Sequence, residues 1–174
     1  MASSFQLVHS PQNATFYYIH LLTHQEECMF GEILGEHTQL SSSGQIAADE
    51  WRQIATAHQR DICLDIWTVL PNGIRALVAV VNHGSAYRLH QPPSKPRALS
   101  SFVAGFKAAA AKRINLVRGV PGAPVWKRGY QEQRIDDSKT LERIRLLLTN
   151  QAHINGLIET GLFSMPSQLG QPVE

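Results

Sequence analysis

Two long apolar runs joined by a tight turn restrict the folds open to this chain more than any other feature. Residues 62–70 (Ile-Cys-Leu-Asp-Ile-Trp-Thr-Val-Leu) and 74–81 (Ile-Arg-Ala-Leu-Val-Ala-Val-Val) are rich in the branched and large apolar side chains that favour strands. Pro71-Asn72-Gly73 between them has the residue types of a turn. The pattern predicts a β-hairpin that lies at the centre of a sheet.

Strands and helices alternate along the rest of the chain. Residues 16–22 predict a strand, residues 46–58 and 100–118 place apolar side chains at helical spacing, and residues 125–135 are plausibly extended. Asp137 is placed to cap a last helix that ends near residue 150. The order β-α-β-β-α-β-α suits an open antiparallel sheet with helices on one face, which is the ferredoxin-like α+β fold.

The length of 174 residues predicts one domain with one core. We place that domain at residues 15–160, between polar tails at residues 1–14 and 161–174. Residues 83–98 contain three prolines and a glycine, and they predict a mobile loop.

The cysteines and the hydropathy of the chain indicate its cellular compartment. Cys28 and Cys63 form no CxxC motif, so neither a disulfide framework nor a thiolate zinc site is indicated. No signal peptide and no apolar run long enough to cross a membrane are found in the sequence. We therefore expect a cytoplasmic protein without a membrane partner.

Charge is distributed unevenly along the chain. Residues 1–65 hold eight acidic side chains against Arg52 and Arg60, whereas residues 66–131 hold no Asp or Glu. The ten basic residues of that middle third are Arg75, Arg88, Lys95, Arg97, Lys107, Lys112, Arg113, Arg118, Lys127 and Arg128. Such a block favours a polyanionic partner, most commonly nucleic acid, although a solvated surface gives the same pattern.

Several local strings follow one another as they do in a known family. They are Gly44-Gln45-Ile46 with Glu50-Trp51, Val69-Leu70-Pro71-Asn72, Ser101-Phe102-Val103-Ala104-Gly105-Phe106-Lys107, and Pro121-Gly122-Ala123-Pro124-Val125-Trp126-Lys127-Arg128-Gly129-Tyr130. Over about residues 16–157 the chain resembles the REP-associated tyrosine transposases, which are single-tyrosine HUH transposases.

The resemblance implies an active site that this chain lacks. Members of the family cleave single-stranded DNA beside a hairpin with a tyrosine nucleophile and Mg²⁺ or Mn²⁺, which two histidines and a third polar ligand hold. Gly73 and Arg75 stand in place of the histidines, and Leu147 stands in place of the tyrosine. Gln151 keeps an amide at the third-ligand position. We therefore expect a degenerate member with no metal cofactor and no catalytic residue.

Other residues could still carry chemistry. Tyr130 is a candidate for a relocated nucleophile, although a structural or base-stacking role is favoured. His20 and His24 lack a third ligand and are interpreted as polar packing, and His83 and His90 as solvated loop residues. Trp51 and Trp67 are expected in the core.

Three functions remain open from the sequence. The first is a domesticated transposase that binds hairpin or single-stranded DNA without cleaving it, and both a monomer and a homodimer are compatible with the sequence. Its predicted DNA contacts are Arg75, Lys107, Lys112, Arg113, Arg118, Trp126, Lys127, Arg128 and Tyr130. The second is an active metal-dependent nuclease that uses Tyr130. The third is a protein-interaction module that keeps only the fold.

Overall fold

The computed structural model describes residues 14–35, 37–82 and 97–150. The secondary-structure elements are β1 (Ala14–Leu22), a 3₁₀ turn (His24–Glu26), β2 (Gly31–Leu34), β3 (His37–Leu40), α1 (Ser42–Ala57), β4 (Ile62–Leu70), β5 (Gly73–Val81), α2 (Arg97–Arg118), β6 (Gln131–Ile135) and α3 (Ser138–Thr149). The two predicted tails, except for Ala14, lie outside the described residues, as do His83, His90 and Gln151. Of the predicted loop 83–98, residues 97 and 98 already belong to α2.

The main sheet is antiparallel throughout, with the strand order β4-β5-β1-β6. The predicted hairpin of β4 and β5 is confirmed, but its predicted place at the centre of the sheet is right only for β5. Strand β1 pairs with the far side of β5 along its full length, from Ala14 opposite Val81 to Leu22 opposite Gly73. Strand β4 is thus an edge of the described sheet, and its bulge between Leu64 and Ile66 is typical of an edge strand.

The larger core lies on one face of the sheet, which we call the core face. The buried side chains Ile19 and Leu21 of β1 and Ile74 and Ala76 of β5 point toward α1 and α2. Fully buried Trp51 of α1 meets Phe102 and Phe106 of α2 edge-on, with ring centroids 5.0 and 4.8 Å apart. Two helices on one face of an antiparallel sheet confirm the predicted α+β fold, and Trp51 is a core residue as expected.

The third helix covers part of the other face, which we call the α3 face. Buried Ile144 and Leu148 of α3 pack with Leu77 of β5 and Ile135 of β6. The side chain of Asp137 accepts a hydrogen bond from Thr140 N at 2.8 Å and caps the helix as predicted. Since β strands alternate their side chains between faces, residues 73, 75 and 77 of β5 all belong to the α3 face.

The segment before α1 differs from the sequence prediction. The predicted helix began at residue 46, but Ser41 is the N-cap of α1 and its hydroxyl accepts a hydrogen bond from Gly44 N at 3.1 Å. Ahead of it, β2 and β3 form a small hairpin that the sequence did not predict. Ile33 and Leu34 of that hairpin are about half exposed, so it lacks the alternation of a half-buried strand.

Candidate functional site

A row of four polar side chains crosses the α3 face, one from each strand of the sheet. His20 of β1 lies directly opposite Arg75 of β5 and, on its other side, opposite Gln131 of β6. Arg75 lies directly opposite Thr68 of β4. Directly opposed residues point to the same face with Cβ atoms about 5 Å apart. Gln131, His20, Arg75 and Thr68 are called the polar row below.

Three atoms of the polar row are buried without a hydrogen-bond partner among the described residues. They are Nε2 of His20, Nε of Arg75 and Oγ1 of Thr68. Thr68 is only 2% exposed, whereas His20 and Arg75 are partly exposed. Buried polar groups are nearly always hydrogen-bonded, so three together on adjacent strands indicate a place where a ligand or solvent is expected.

His20 is held in its neutral form. Burial, and then the neighbouring Arg75 guanidinium, lower the pKa of His20 to about 4, against the opposing effects of Gln131 and Glu26. Nδ1 of His20 lies 3.3 Å from Oε1 of Gln131 and donates to it in the Nδ1–H tautomer. Nε2, on the other side of the ring, then carries a lone pair at neutral pH.

The described part of the polar row does not suit a divalent cation. No group of three or more His, Cys, Asp or Glu side chains comes together among residues 14–35, 37–82 and 97–150. Gly73 offers no ligand atom, and the permanently charged guanidinium of Arg75 repels a cation. The Mg²⁺ or Mn²⁺ that the family resemblance implies therefore does not fit these residues.

The backbone at Gly73 leaves no room for a side chain. A Cβ atom on Gly73 would lie 2.2 Å from the carbonyl oxygen of Leu21 on the neighbouring strand. The turn before it is fastened as well, since Thr23 N and Phe30 N donate to the carbonyl oxygens of Asn72 and Pro71, each at 2.9 Å. A histidine at position 73 would require β1 or this turn to move.

Helix α3 lies on the same face as the polar row. Leu147, at the position implied for the nucleophile, is half-buried, and the following Leu148 is buried against the sheet. Nε of Arg145 donates to Oδ2 of Asp65 at 3.0 Å, which ties the helix to β4. The position that the family resemblance implies for the tyrosine thus holds an apolar side chain.

Tyr130 lies on the opposite side of the sheet from Arg75. Its ring packs against the larger core, and its hydroxyl is 3.5 Å from the hydroxyl of Ser100 on α2. Burial raises the pKa of Tyr130 to about 12, which disfavours the phenolate. This position separates Tyr130 from Arg75 and α3, with which a relocated nucleophile would have to act.

A second tyrosine, Tyr18, lies on the α3 face of β1, two residues before His20. Burial raises the pKa of the Tyr18 phenol, against a smaller lowering by Arg75. Tyr18 packs beside Leu77 and α3 in the smaller core. It is therefore built into the packing of this face.

The basic residues of α2 are not all available to a ligand. Nζ of Lys107 donates to the carbonyl oxygens of Lys127 and Gly129 at 2.6 and 2.7 Å, and burial lowers its pKa. Arg113 forms an ion pair of 2.6 Å with Glu50, whose side chain is only 10% exposed. Lys112 and Arg118 are exposed. Two of the four predicted contacts on α2 are thus engaged within the chain.

Residues 126–128 divide between the core and the surface. The ring of Trp126 packs against Phe30 and Phe106, with centroids 5.2 and 5.3 Å apart, and its Nε1 donates to the carbonyl oxygen of Lys107. Lys127 forms an exposed ion pair of 2.7 Å with Glu26, and Arg128 is exposed. Trp126 therefore fastens the segment to the fold, and the two cations face solvent.

The predicted cations lie on two sides of the molecule. Lys112 and Arg118 belong to α2, which covers the core face, while Arg75 belongs to the α3 face. Lys127 is close enough to His20 to lower the pKa of the imidazole, so Lys127 lies near the polar row. Arg75 and the cations of α2 therefore lie on different faces of the sheet.

Sequence reasoning missed most of the polar row. Thr68 and Gln131 were not considered, and His20 was considered only as a pair with His24, which lies in the 3₁₀ turn. The available signal was the single polar residue in Phe16-Tyr17-Tyr18-Ile19-His20-Leu21-Leu22. Its partner Arg75 follows only from the strand register, which the sequence does not specify.

The described residues define a transposase-like α+β fold: an antiparallel four-stranded sheet with two helices on one face and one on the other. The REP-associated tyrosine transposase, solved bound to a REP hairpin, has this fold. Its structure matches 94% of this chain and 76% of its own, with a TM-score of 0.51 and 12% identity. The predicted transposase fold is thereby confirmed.

Two further proteins are similar to this chain. A proposed transposase from Deinococcus radiodurans R1 matches 87% of this chain and 98% of its own, with a TM-score of 0.48 and 18% identity. An uncharacterized protein of Haemophilus influenzae (strain ATCC 51907 / DSM 11121 / KW20 / Rd) is 25% identical over 144 residues, 78% of each chain. No protein-family model matches the chain. None of the described helices is long and apolar enough to span a lipid bilayer.

Proposed function

We propose that this protein binds hairpin or single-stranded DNA through a transposase-like fold and does not cleave it. The observation that carries the proposal is Arg75 at the centre of the polar row, where a permanent cation stands among unpartnered polar atoms. The structural neighbour bound to a REP hairpin supports DNA as the partner. A guanidinium binds a phosphate directly, so no bridging metal is required.

The contacts that fit this function lie along one side of the molecule. Arg75 belongs to the polar row, and exposed Lys127 lies near it. The ion pair of Lys127 with Glu26 is exposed at both ends and contributes little to stability, so a phosphate can replace the carboxylate. Lys112 and Arg118 on α2 form a separate basic surface.

The placement of the candidate nucleophiles supports the proposed absence of cleavage. Tyr130 lies across the sheet from Arg75 with a raised pKa, and Leu147 has no group that attacks phosphate. In-line attack requires the nucleophile and the phosphate to lie within about 3.5 Å. Neither Tyr130 nor Leu147 offers that arrangement to a phosphate at Arg75. Tyr18 shares the face of Arg75, but burial raises the pKa of its phenol, which disfavours the attacking phenolate.

The test is a binding assay with labelled hairpin and single-stranded oligonucleotides, in EDTA and in Mn²⁺, followed by denaturing gels for cleaved or covalently attached DNA. We expect binding that is equal in both solutions, with no cleavage and no adduct. Cleavage that depends on Mn²⁺ and disappears in Tyr130→Phe would instead establish the nuclease.

One observation favours the interaction module as a second candidate. Leu116 and Val117 of α2 are 78% and 63% exposed. Exposed apolar side chains on one turn favour contact with a protein. Failure to bind either kind of DNA at low salt would support this candidate.

A further inference from the structure

We infer that the polar row binds a single phosphodiester group of DNA directly, with Arg75, Thr68 and His20 as its donors and without a divalent cation. The inference rests on the proposed function for the source of the phosphate. The location of the site is inferred from the geometry of the sheet.

The proposed hydrogen-bond donors lie together on one face of the sheet. Thr68, Arg75 and His20 are consecutive cross-strand neighbours on β4, β5 and β1, and all point to the α3 face. Each has a buried polar atom that lacks a partner among the described residues. Two of these atoms, Nε of Arg75 and Oγ1 of Thr68, carry a hydrogen to donate, as an anion requires.

The charge at the polar row is positive because of Arg75. Arg75 supplies a positive charge that none of these ion pairs of the described residues neutralises: Arg52–Asp49, Arg113–Glu50, Lys127–Glu26, Arg134–Asp136, Arg145–Asp65 and Arg145–Glu142. Glu26, from the 3₁₀ turn, and Lys127 both lie close enough to His20 to affect its pKa, but they pair with each other. A phosphate would thus be attracted to Arg75 without meeting an unpaired carboxylate of those groups.

His20 lies opposite Gln131 of β6 on one side and Arg75 of β5 on the other. Glu26 and Lys127 also affect the pKa of its imidazole. In the Nδ1–H tautomer, Nε2 donates to a phosphate only after it takes up a proton. A bound anion beside Nε2 favours that imidazolium form. Phosphate binding at the row is therefore accompanied by proton uptake, and its affinity rises as the pH falls from 7.5 to 5.5.

The experiment uses a thymidine dinucleotide, which carries one phosphodiester, and inorganic phosphate as a second probe. The full chain in EDTA is titrated while ¹H–¹⁵N spectra record the Arg75 Nε–H and the His20 ring nitrogens. We expect both residues' signals to shift on addition of either probe, with tighter binding of the dinucleotide at pH 5.5 than at 7.5.

Variants separate binding from folding. Arg75→Gln should weaken dinucleotide binding about tenfold or more, and Thr68→Val about fivefold. Because the Thr68 hydroxyl has no partner to lose, Thr68→Val keeps the fold even if Arg75→Gln does not. His20→Gln should abolish the pH dependence, while Lys112→Gln on the other face should change nothing.

The outcomes distinguish this inference from the proposed function. If long DNA binds but the dinucleotide leaves the Arg75 and His20 signals unmoved, the row is not the phosphate site and the DNA-binding function stands. If both probes bind at the row but neither hairpin nor single-stranded DNA binds, the site stands and the DNA function fails. Unchanged affinity in Thr68→Val and Arg75→Gln, or a requirement for Mn²⁺, overturns the inference.

Discussion

His20 shows how much a single buried side chain is altered by its cross-strand neighbours. Arg75 on one side and Gln131 on the other enclose an imidazole whose pKa falls to about 4. In the unfolded chain the pKa of histidine is near 6.5. Between these two values the unfolded state binds more protons than the folded state, so acid destabilises the protein through this residue.

The stability of the protein should therefore decline as the pH falls below about 6.5. We expect His20 alone to lower the free energy of unfolding by about 2 kcal/mol between pH 7.5 and pH 5. His20→Gln, which cannot titrate, should show a flatter curve over the same range. Urea denaturation at half-unit pH steps measures both proteins, and parallel curves would show that the folded His20 protonates normally.

Gly73 is fixed by a contact rather than by an unusual backbone angle. A methyl group there would meet the Leu21 carbonyl at 2.2 Å, whereas a methyl group on Gly105 of α2 would lie 3.4 Å from Cδ1 of Ile54. Gly73→Ala should lower the free energy of unfolding by about 3 kcal/mol. Gly105→Ala should raise it by up to about 1 kcal/mol, because alanine favours a helix. Thermal or urea melts compare the two, and equal stabilities would refute the steric argument.

At the scale of the elements, local sequence patterns predicted individual helices and strands but not how these elements pack together. The bounds of β4 and the cap of α3 at Asp137 agree with prediction, because strand composition and capping act over a few residues. The face that α3 covers could not be predicted, since an apolar stripe does not specify which sheet face it meets. The same applies to the polar row, which depends on strand register.

The position of α3 depends on one partly buried ion pair. Arg145 binds the carboxylate of Asp65 and also contacts Glu142. Arg145→Lys removes the two-pronged geometry and should lower the free energy of unfolding by about 1–2 kcal/mol, as should Asp65→Asn. Arg143→Lys, on an exposed position of the same helix, should change it by less than about 0.5 kcal/mol.

A double-mutant cycle isolates the contribution of the pair itself. The combined variant Arg145→Lys with Asp65→Asn should be less destabilised than the sum of the single variants. Strict additivity would mean that the ion pair does not position α3.

At the scale of the whole molecule, the sheet divides the positive charge into two surfaces. Arg75 and Lys127 lie on the side of the polar row, while Lys112 and Arg118 lie on α2. This division is not predictable from the sequence, because all four residues belong to one stretch free of acidic side chains. A short single strand can follow only one of the two surfaces.

The salt dependence of DNA binding identifies the surface in use. Each phosphate contact on single-stranded DNA contributes about 0.7 to the slope of log affinity against log salt. Arg75→Gln with Lys127→Gln should therefore reduce the slope by about 1.4, and Lys112→Gln with Arg118→Gln should leave it unchanged. Fluorescence anisotropy at several salt concentrations measures it, and the reverse pattern would place the DNA on α2.

The two cores of this fold are separated by the sheet itself. The aromatic cluster around Trp51 lies wholly on the core face, whereas the α3 face carries a smaller apolar cluster next to the polar row. Substitutions in the row thus leave the larger core intact, and the backbone can persist while the chemistry of the row is exchanged. Such an arrangement makes this sheet a durable scaffold on which one binding chemistry can replace another.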